Sequence, residues 1–207
     1  MIVLGIDPGT AITGYGVVTG ERMAQPRLIE CGVIRTKPRD PLPARLQEIH
    51  AGIVELIQRH RPDALSIEDV FYARNVRTTI VLGHARGVIL LAGANAGIAI
   101  AEYPPAEIKK AVVGNGAATK EQVQFMVMRL LRLKTPPQPA DASDGVAAAI
   151  AHILGARVPT ITPGFDSTLD STLESTLAQS ALLKSAVRRP VKSAVRTPDK
   201  SAVRSRS

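Results

Sequence analysis

The stretch Ile2-Val3-Leu4-Gly5-Ile6-Asp7-Pro8-Gly9-Thr10 decides how the rest of the chain is read. Apolar side chains at Ile2, Val3, Leu4 and Ile6 leave neither face of this segment suited to water, so it reads as a strand covered on both sides, inside a mixed or parallel sheet. Asp is disfavoured within strands, and Pro8-Gly9 forces a turn directly behind it. Asp7 therefore stands at a carboxyl strand end, where open α/β sheets place their ligands. Taken alone, Asp7 could equally serve only to cap the turn.

Outward from this strand, Thr13–Thr19 alternates Tyr15, Val17 and Thr19 against glycines, and Arg27–Thr36 carries Leu28, Ile29, Val33 and Ile34, with Gly32 as the expected bulge. Three strands in succession predict an antiparallel meander. From Pro41 to Arg61, Leu42, Leu46, Ile49, Ile53, Leu56 and Ile57 recur at helical spacing. Ala64–Val70 is a fourth strand, with Leu65 and Ile67 on one face and Ser66 and Glu68 on the other. Phe71–Thr78 reads as a cationic loop, and Thr79–Asn95 as a helix with Gly83 and Gly87 four apart, a spacing that lets a second backbone approach closely. Ile98–Tyr103 is a fifth strand. Helices follow over Ala106–Val113, from a Thr119 cap to Leu133, and over Ala140–Ala156. This order of elements is α/β: a five-stranded mixed sheet flanked by helices.

Composition changes after Val158. Period-four Asp/Glu-Ser-Thr-Leu units begin at Asp166, Asp170 and Glu174, and period-eight Lys-Ser-Ala-Val-Arg units begin at Lys184, Lys192 and Lys200. They are too few and too polar to form a solenoid. The chain thus divides into a folded domain over 1–158 and a low-complexity, disordered tail with basic repeats over 159–207. Of the formal net charge of +8, the last 24 residues carry +7, residues 159–183 carry −3, and residues 1–158 carry +4. A basic domain with a basic tail points to a polyanionic partner; the tail is either a DNA-holding arm or a dispensable solvated extension. The single Cys31 excludes an intrachain disulfide. No signal peptide precedes the first strand, and the apolar run Val88–Ala101 is too short to span a bilayer. The expectation is a soluble, cytoplasmic protein without a membrane partner.

Two strand ends carry acids, Asp7 and Glu68. Asp141 and Asp144 lie three apart on one helix, roughly 5–6 Å between Cβ atoms. They could simply be first-turn acids favoured by the helix dipole. Convergence of all four would instead make an oxygen-only donor set suited to Mg²⁺ or Mn²⁺ rather than Zn²⁺. The histidines, His50, His60, His84 and His152, form no ligand pattern. A carboxylate cluster in a basic domain is a nuclease candidate, because metal ions held by carboxylates stabilise both attacking and leaving oxygens of a phosphodiester. Lys109 and Lys120 are candidate phosphate contacts.

Ile6-Asp7-Pro8-Gly9 with Thr13-Gly14-Tyr15-Gly16, Ile67-Glu68-Asp69-Val70-Phe71, Leu82-Gly83-His84-Ala85-Arg86-Gly87, Val112-Val113-Gly114-Asn115-Gly116 with Lys120, and Ala140-Asp141-Ala142-Ser143-Asp144 together resemble the RuvC family of Holliday-junction resolvases, in order, from Met1 to about Arg157. The resemblance implies a ribonuclease H-like fold and a homodimer formed through the helix with Gly83 and Gly87. It also implies a metal-dependent endodeoxyribonuclease that makes paired, symmetric nicks across four-way DNA junctions in recombination and repair. It implies catalytic, metal-holding roles for Asp7, Glu68, Asp141 and Asp144, with two Mg²⁺ ions per site and Mn²⁺ as a substitute, and active-site roles for Lys109 and Lys120. Phe71 matches the family's aromatic residue near the crossover, and the RuvA–RuvB branch-migration complex is the implied partner. Tyr72 would add a second stacking surface at the crossover, and Arg74 and Arg77 would grip phosphates. Asp69 stands where many relatives have Gln; strand alternation turns it away from Glu68, so no fifth ligand is expected.

Two rivals differ in class. Asp7, Gly9 and Thr10 also match the phosphate loop of actin-like and sugar-kinase ATP-binding proteins, but those need a second related domain that about 158 residues do not hold. A non-catalytic junction-binding protein would not need all four acids.

Overall fold

The computed structural model describes residues 1–22, 24–69, 76–156 and 160–161. The expected tail after Ile161 and the positions Phe71, Tyr72 and Arg74 lie outside the described residues. Strands β1 (Ile2–Asp7), β2 (Ile12–Thr19) and β3 (Arg27–Arg35) form the meander. Helix α1 (Leu42–His60) then leads to β4 (Ala64–Glu68), and α2 (Val76–Asn95) to β5 (Ala99–Tyr103). Helices α3 (Pro105–Val113), α4 (Lys120–Leu130) and α5 (Ala140–Ile153) follow, and a two-residue strand β6 (Thr160–Ile161) ends the described chain.

The sheet order is β3-β2-β1-β4-β5-β6. The first hairpin makes β1 antiparallel to β2, whereas the α1 and α2 crossovers return the chain so that β4 runs parallel to β1 and β5 parallel to β4. The carboxyl ends of β1, β4 and β5 therefore point the same way, and Asp7 and Glu68 emerge at one pole. The sheet has the expected five strands plus β6, which pairs antiparallel with β5 just past the composition change at Val158.

Both faces of the sheet are covered. Leu4, Ile6, Leu65, Ile67 and Ile100 pack against Ile49, Ile53, Ala85 and Ile89 of α1 and α2. Val3, Val18, Ala101 and Tyr103 pack against α3, α4 and α5. Helix α5 lies nearly on the backbone of β1 and β2: a Cβ at Gly5 would fall 2.1 Å from the Gly145 carbonyl oxygen, and one at Gly14 would fall 1.9 Å from that of Asp141. The glycines bring the first turns of α5 down onto the strand that ends at Asp7. Ser66 adds a buried tie, its hydroxyl donating to the Ala148 carbonyl at 2.7 Å.

Several expected boundaries move. The bulge lies at Ile29, between the pairs Val17–Glu30 and Val18–Leu28, and not at Gly32, which pairs with Tyr15. Gly32 is needed because a Cβ there would meet the Tyr15 hydroxyl at 2.7 Å. Strand β4 ends at Glu68 because its partner β1 turns away at Pro8. Helix α2 begins at Val76, three residues earlier than expected, so Arg77 and Thr78 are helical and not part of a loop; nothing between Val76 and Thr79 breaks a helix. Helix α4 stops at Leu130, and α5 stops short of Gly155, whose φ of 78° ends it. Counted from Val76, α2 is 20 residues and is, by length and composition alone, apolar enough to cross a bilayer. Here α2 buries Ala85, Ile89, Ala92 and Gly93 against the sheet side of the fold, and leaves Val76, Ile80 and Leu91 exposed.

Candidate active site

Five elements converge where the parallel strands end. β1 delivers Asp7, β4 delivers Glu68, the first two turns of α5 deliver Asp141 and Asp144, and α3 and α4 deliver Lys109 and Lys120. Thr13 holds the turn behind Asp7, its hydroxyl donating to the Gly9 carbonyl at 2.6 Å. Lys120 is the first residue of α4, set by a full capping box: the Thr119 hydroxyl accepts from the Gln122 amide, and the Gln122 side chain accepts from the Thr119 amide.

Asp7, Glu68, Lys109, Lys120 and Asp144 line one cleft of about 240 Å³, with Pro105, Ile108, Val123 and Ala147 as its apolar walls. Asp7, Asp141 and Asp144 each present a carboxylate oxygen within 4.8 Å of the others. Glu68 faces the same cleft without belonging to that closest group of three, and Asp141 belongs to the three without lining the cleft. Lys120 Nζ donates to Asp144 Oδ2 at 2.7 Å. Arg77 is not among the cleft residues; it sits in the first turn of α2.

The electrostatics follow from packing acids together under apolar cover. Burial, then the charges of Glu68, Asp144 and Asp141, push the Asp7 carboxyl up to about 8, against a smaller opposing effect of Lys120. Glu68 rises to about 7, again chiefly by burial and then by Asp144, with Lys109 and Lys120 opposing. Asp144 is raised by burial and drawn back by its bond to Lys120, whose own ammonium is held more firmly by that bond. Two lysines do not neutralise four acids. The oxygen-only donors and their spacing suit a small, hard divalent cation.

Two features near this cleft carried no usable sequence signal. Tyr103, at the end of β5, shares a hydrogen bond of 2.8 Å with His152 Nδ1 across the α5 face, and burial lowers the His152 pKa. His152 is thus a packing partner of the sheet and lies outside the carboxylate group. Behind the cleft, Arg86 on α2 bonds to Glu102 on β5 and approaches Asp69 Oδ1 at 3.6 Å. Pairing between residues so distant in the chain is invisible before the sheet is assembled.

A meander followed by parallel strands, with acids at the ends of β1 and β4 and on α5, has the layout of a ribonuclease H-like α/β protein. Residues 3–152 match the family model described as crossover junction endodeoxyribonuclease RuvC. A protein of that description from Desulforamulus reducens is 49% identical over 154 residues, covering 73% of this chain and 93% of that protein. The structure of Thermus thermophilus RuvC superposes with a TM-score of 0.70 at 38% identity, covering 76% of this chain and 96% of that one. T. thermophilus RuvC in complex with a Holliday junction substrate gives the same TM-score at 36% identity. The chain belongs to the RuvC family of crossover junction endodeoxyribonucleases.

Proposed function

We propose that this chain is a Holliday-junction resolvase, a structure-specific endodeoxyribonuclease making paired, symmetric nicks across a four-way DNA junction. The observation that carries the reading is the convergence of Asp7, Asp141 and Asp144 within 4.8 Å, beside Glu68 and two lysines in one cleft, in a member of this family.

In this reading Asp7, Glu68, Asp141 and Asp144 hold two divalent cations, Mg²⁺ with Mn²⁺ as a substitute. Such ions, when bound, supply an activated water and charge neutralisation at phosphorus. The chain's own residues do the rest. Asp7 and Glu68 are the last residues of β1 and β4, so the sheet fixes where their carboxylates start. Lys120, anchored by Asp144, presents its ammonium to the phosphate, where negative charge grows in the transition state. Lys109 lies across the cleft and orients the same phosphate. Ile108, Val123 and Ala147 exclude water and strengthen each of these interactions.

Phe71 and Tyr72 are assigned to stacking at the crossover, and Arg74 and Arg77 to phosphate contacts. A homodimer formed through α2 would supply two cuts matched to the junction's two-fold symmetry. Support comes from exposed Val76, Ile80 and Leu91, and from the open space around Gly83 and Gly87. The protein would act in the cytoplasm with the RuvA–RuvB complex. Residues 1–158, with β6 added at the sheet edge, form the nuclease domain, and residues after Ile161 a basic tail.

The deciding experiment is incubation of a synthetic four-way junction with Mg²⁺, wild type beside Asp7→Asn. Paired symmetric nicks from wild type only, with junction binding retained in the variant, are expected. Binding without nicks in either protein, over several junction sequences and with Mn²⁺ tried, would leave a non-catalytic junction binder.

A further inference from the structure

Glu68 is held unevenly. It is the last residue of β4, and the register of β4 with β1 ends one residue earlier, at Ile6–Ile67. Only β5 continues beside it, through the pair Glu68–Tyr103 and the bond from the Asp69 amide to the Tyr103 carbonyl at 2.8 Å. A strand end supported on one side is a poor platform for a side chain that must hold a fixed geometry.

The missing support comes from the opposite face of the sheet. Side-chain alternation sends Ser66 and Glu68 toward α5, and Glu102 and Asp69 toward α2. There the Arg86 guanidinium bonds to Glu102, register partner of Ile67, and lies 3.6 Å from Asp69, the residue after Glu68. One guanidinium nitrogen, Nη2, thus lies between an acid near the end of β5 and the residue that follows β4. Arg86 Nε is buried without a partner among the described residues, and both carboxylates are met at Nη2.

We propose that Arg86 is a positioning residue for Glu68, clamping the carboxyl ends of β4 and β5 from the face away from the cleft through Asp69 and Glu102. The assignment rests on the reading of Glu68 as a metal-holding residue. It gives Asp69 a role that involves no ligation. It also makes α2, whose outer side is proposed for self-association, mechanically continuous with the cleft.

The test is a double-mutant cycle read by Mn²⁺ binding without DNA, following the electron paramagnetic resonance signal of free Mn²⁺. The proteins are wild type, Arg86→Met, Asp69→Asn and the double variant, each checked for folding by circular dichroism. Arg86→Met is expected to raise the Mn²⁺ dissociation constant about tenfold, the lower end of what losing a supporting partner does at metal sites. Asp69→Asn removes a charge near the site in both backgrounds, and that effect cancels in the cycle. Its remaining effect is expected to be about threefold larger with Arg86 present than without. Should Arg86→Met fail to fold, Arg86→Lys replaces it. Lysine is shorter and places no nitrogen where Nη2 sits, so weakened Mn²⁺ binding is again expected. A folded Arg86 variant binding Mn²⁺ within about twofold of wild type, or equal effects of Asp69→Asn in both backgrounds, overturns the assignment. No Mn²⁺ binding by wild type is a different result and overturns the metal reading beneath it.

Discussion

The Lys120 ammonium meets the Asp144 carboxylate at 2.7 Å, joining the first residue of α4 to the second turn of α5. The pair is lopsided in exposure: the lysine side chain is 49% accessible and the aspartate 20%. One end is anchored and the other faces the open cleft, as a group that greets an incoming phosphate requires. Replacing Lys120 with Met is expected to lower single-turnover nicking of a four-way junction by about 10²–10³-fold, the usual loss for one oxyanion-stabilising donor. Junction binding should weaken far less. Equal losses in binding and nicking would show Lys120 to be a general phosphate contact.

The raised carboxyls predict a pH dependence of stability in the metal-free protein. Asp7 holds its proton to about pH 8 when folded, against an ordinary carboxyl value of 3.8, and Glu68 to about pH 7 against 4.5. Between those limits the folded state binds more protons than the unfolded state, so stability falls as pH rises from about 4 to about 8. The loss is on the order of a few kcal/mol. Thermal melts with chelator are expected to give a lower Tm at pH 8 than at pH 5.5. Millimolar Mg²⁺ should restore the difference at pH 8, and Asp7→Asn should largely remove it. A flat profile would show that the acids are solvated and not confined.

Gly14 predicts a stability and site defect from one methyl group. A Cβ at Gly14 would sit 1.9 Å from the Asp141 carbonyl oxygen, and backbone cannot rotate out of the way as a side chain can. Gly14→Ala is expected to cost at least about 3 kcal/mol in urea denaturation, the upper range for overpacking. Because α5 must lift where it carries Asp141, Mg²⁺ affinity should fall with it.

Helix α2 predicts self-association without a matching defect in the monomer. Among the described residues, nothing outside the local helix backbone lies within 4 Å of a Cβ built on Gly87, and Ile80 is 56% exposed. Gly87→Leu and Ile80→Glu should therefore leave the circular dichroism spectrum unchanged, while sedimentation equilibrium shows a shift from dimer to monomer. Unchanged dimers in both variants would place the interface elsewhere.

Much of this fold was legible from local pattern. Alternation and turn residues marked the meander and the end of β1 at Asp7. Helical spacing marked α1 and α4, and Thr119 marked a cap that the structure supplies in full. Boundaries were less legible where no breaker residue stands, as at Val76, or where a neighbouring strand decides the end, as at Glu68. Gly32 reads as a bulge but is glycine to make room for the Tyr15 side chain, a contact that no spacing rule contains, and the bulge lies at Ile29.

The sequence by itself determined the class of the protein. An apolar run ending in Asp-Pro-Gly, a second strand ending in Glu68 and an Asp pair at helical spacing are local facts, each written within a few residues. The tertiary structure decided how those carboxylates meet. Gly5 and Gly14 lower α5 onto β1 and bring Asp141 and Asp144 to Asp7. The resulting burial lifts the Asp7 and Glu68 carboxyls out of their ordinary range. The Arg86 clamp joins residues 16 and 17 positions apart in the chain and exists only once β4, β5 and α2 have packed. Desolvation and long-range pairing are properties of the assembled sheet, and for that reason no reading of one segment at a time contains them.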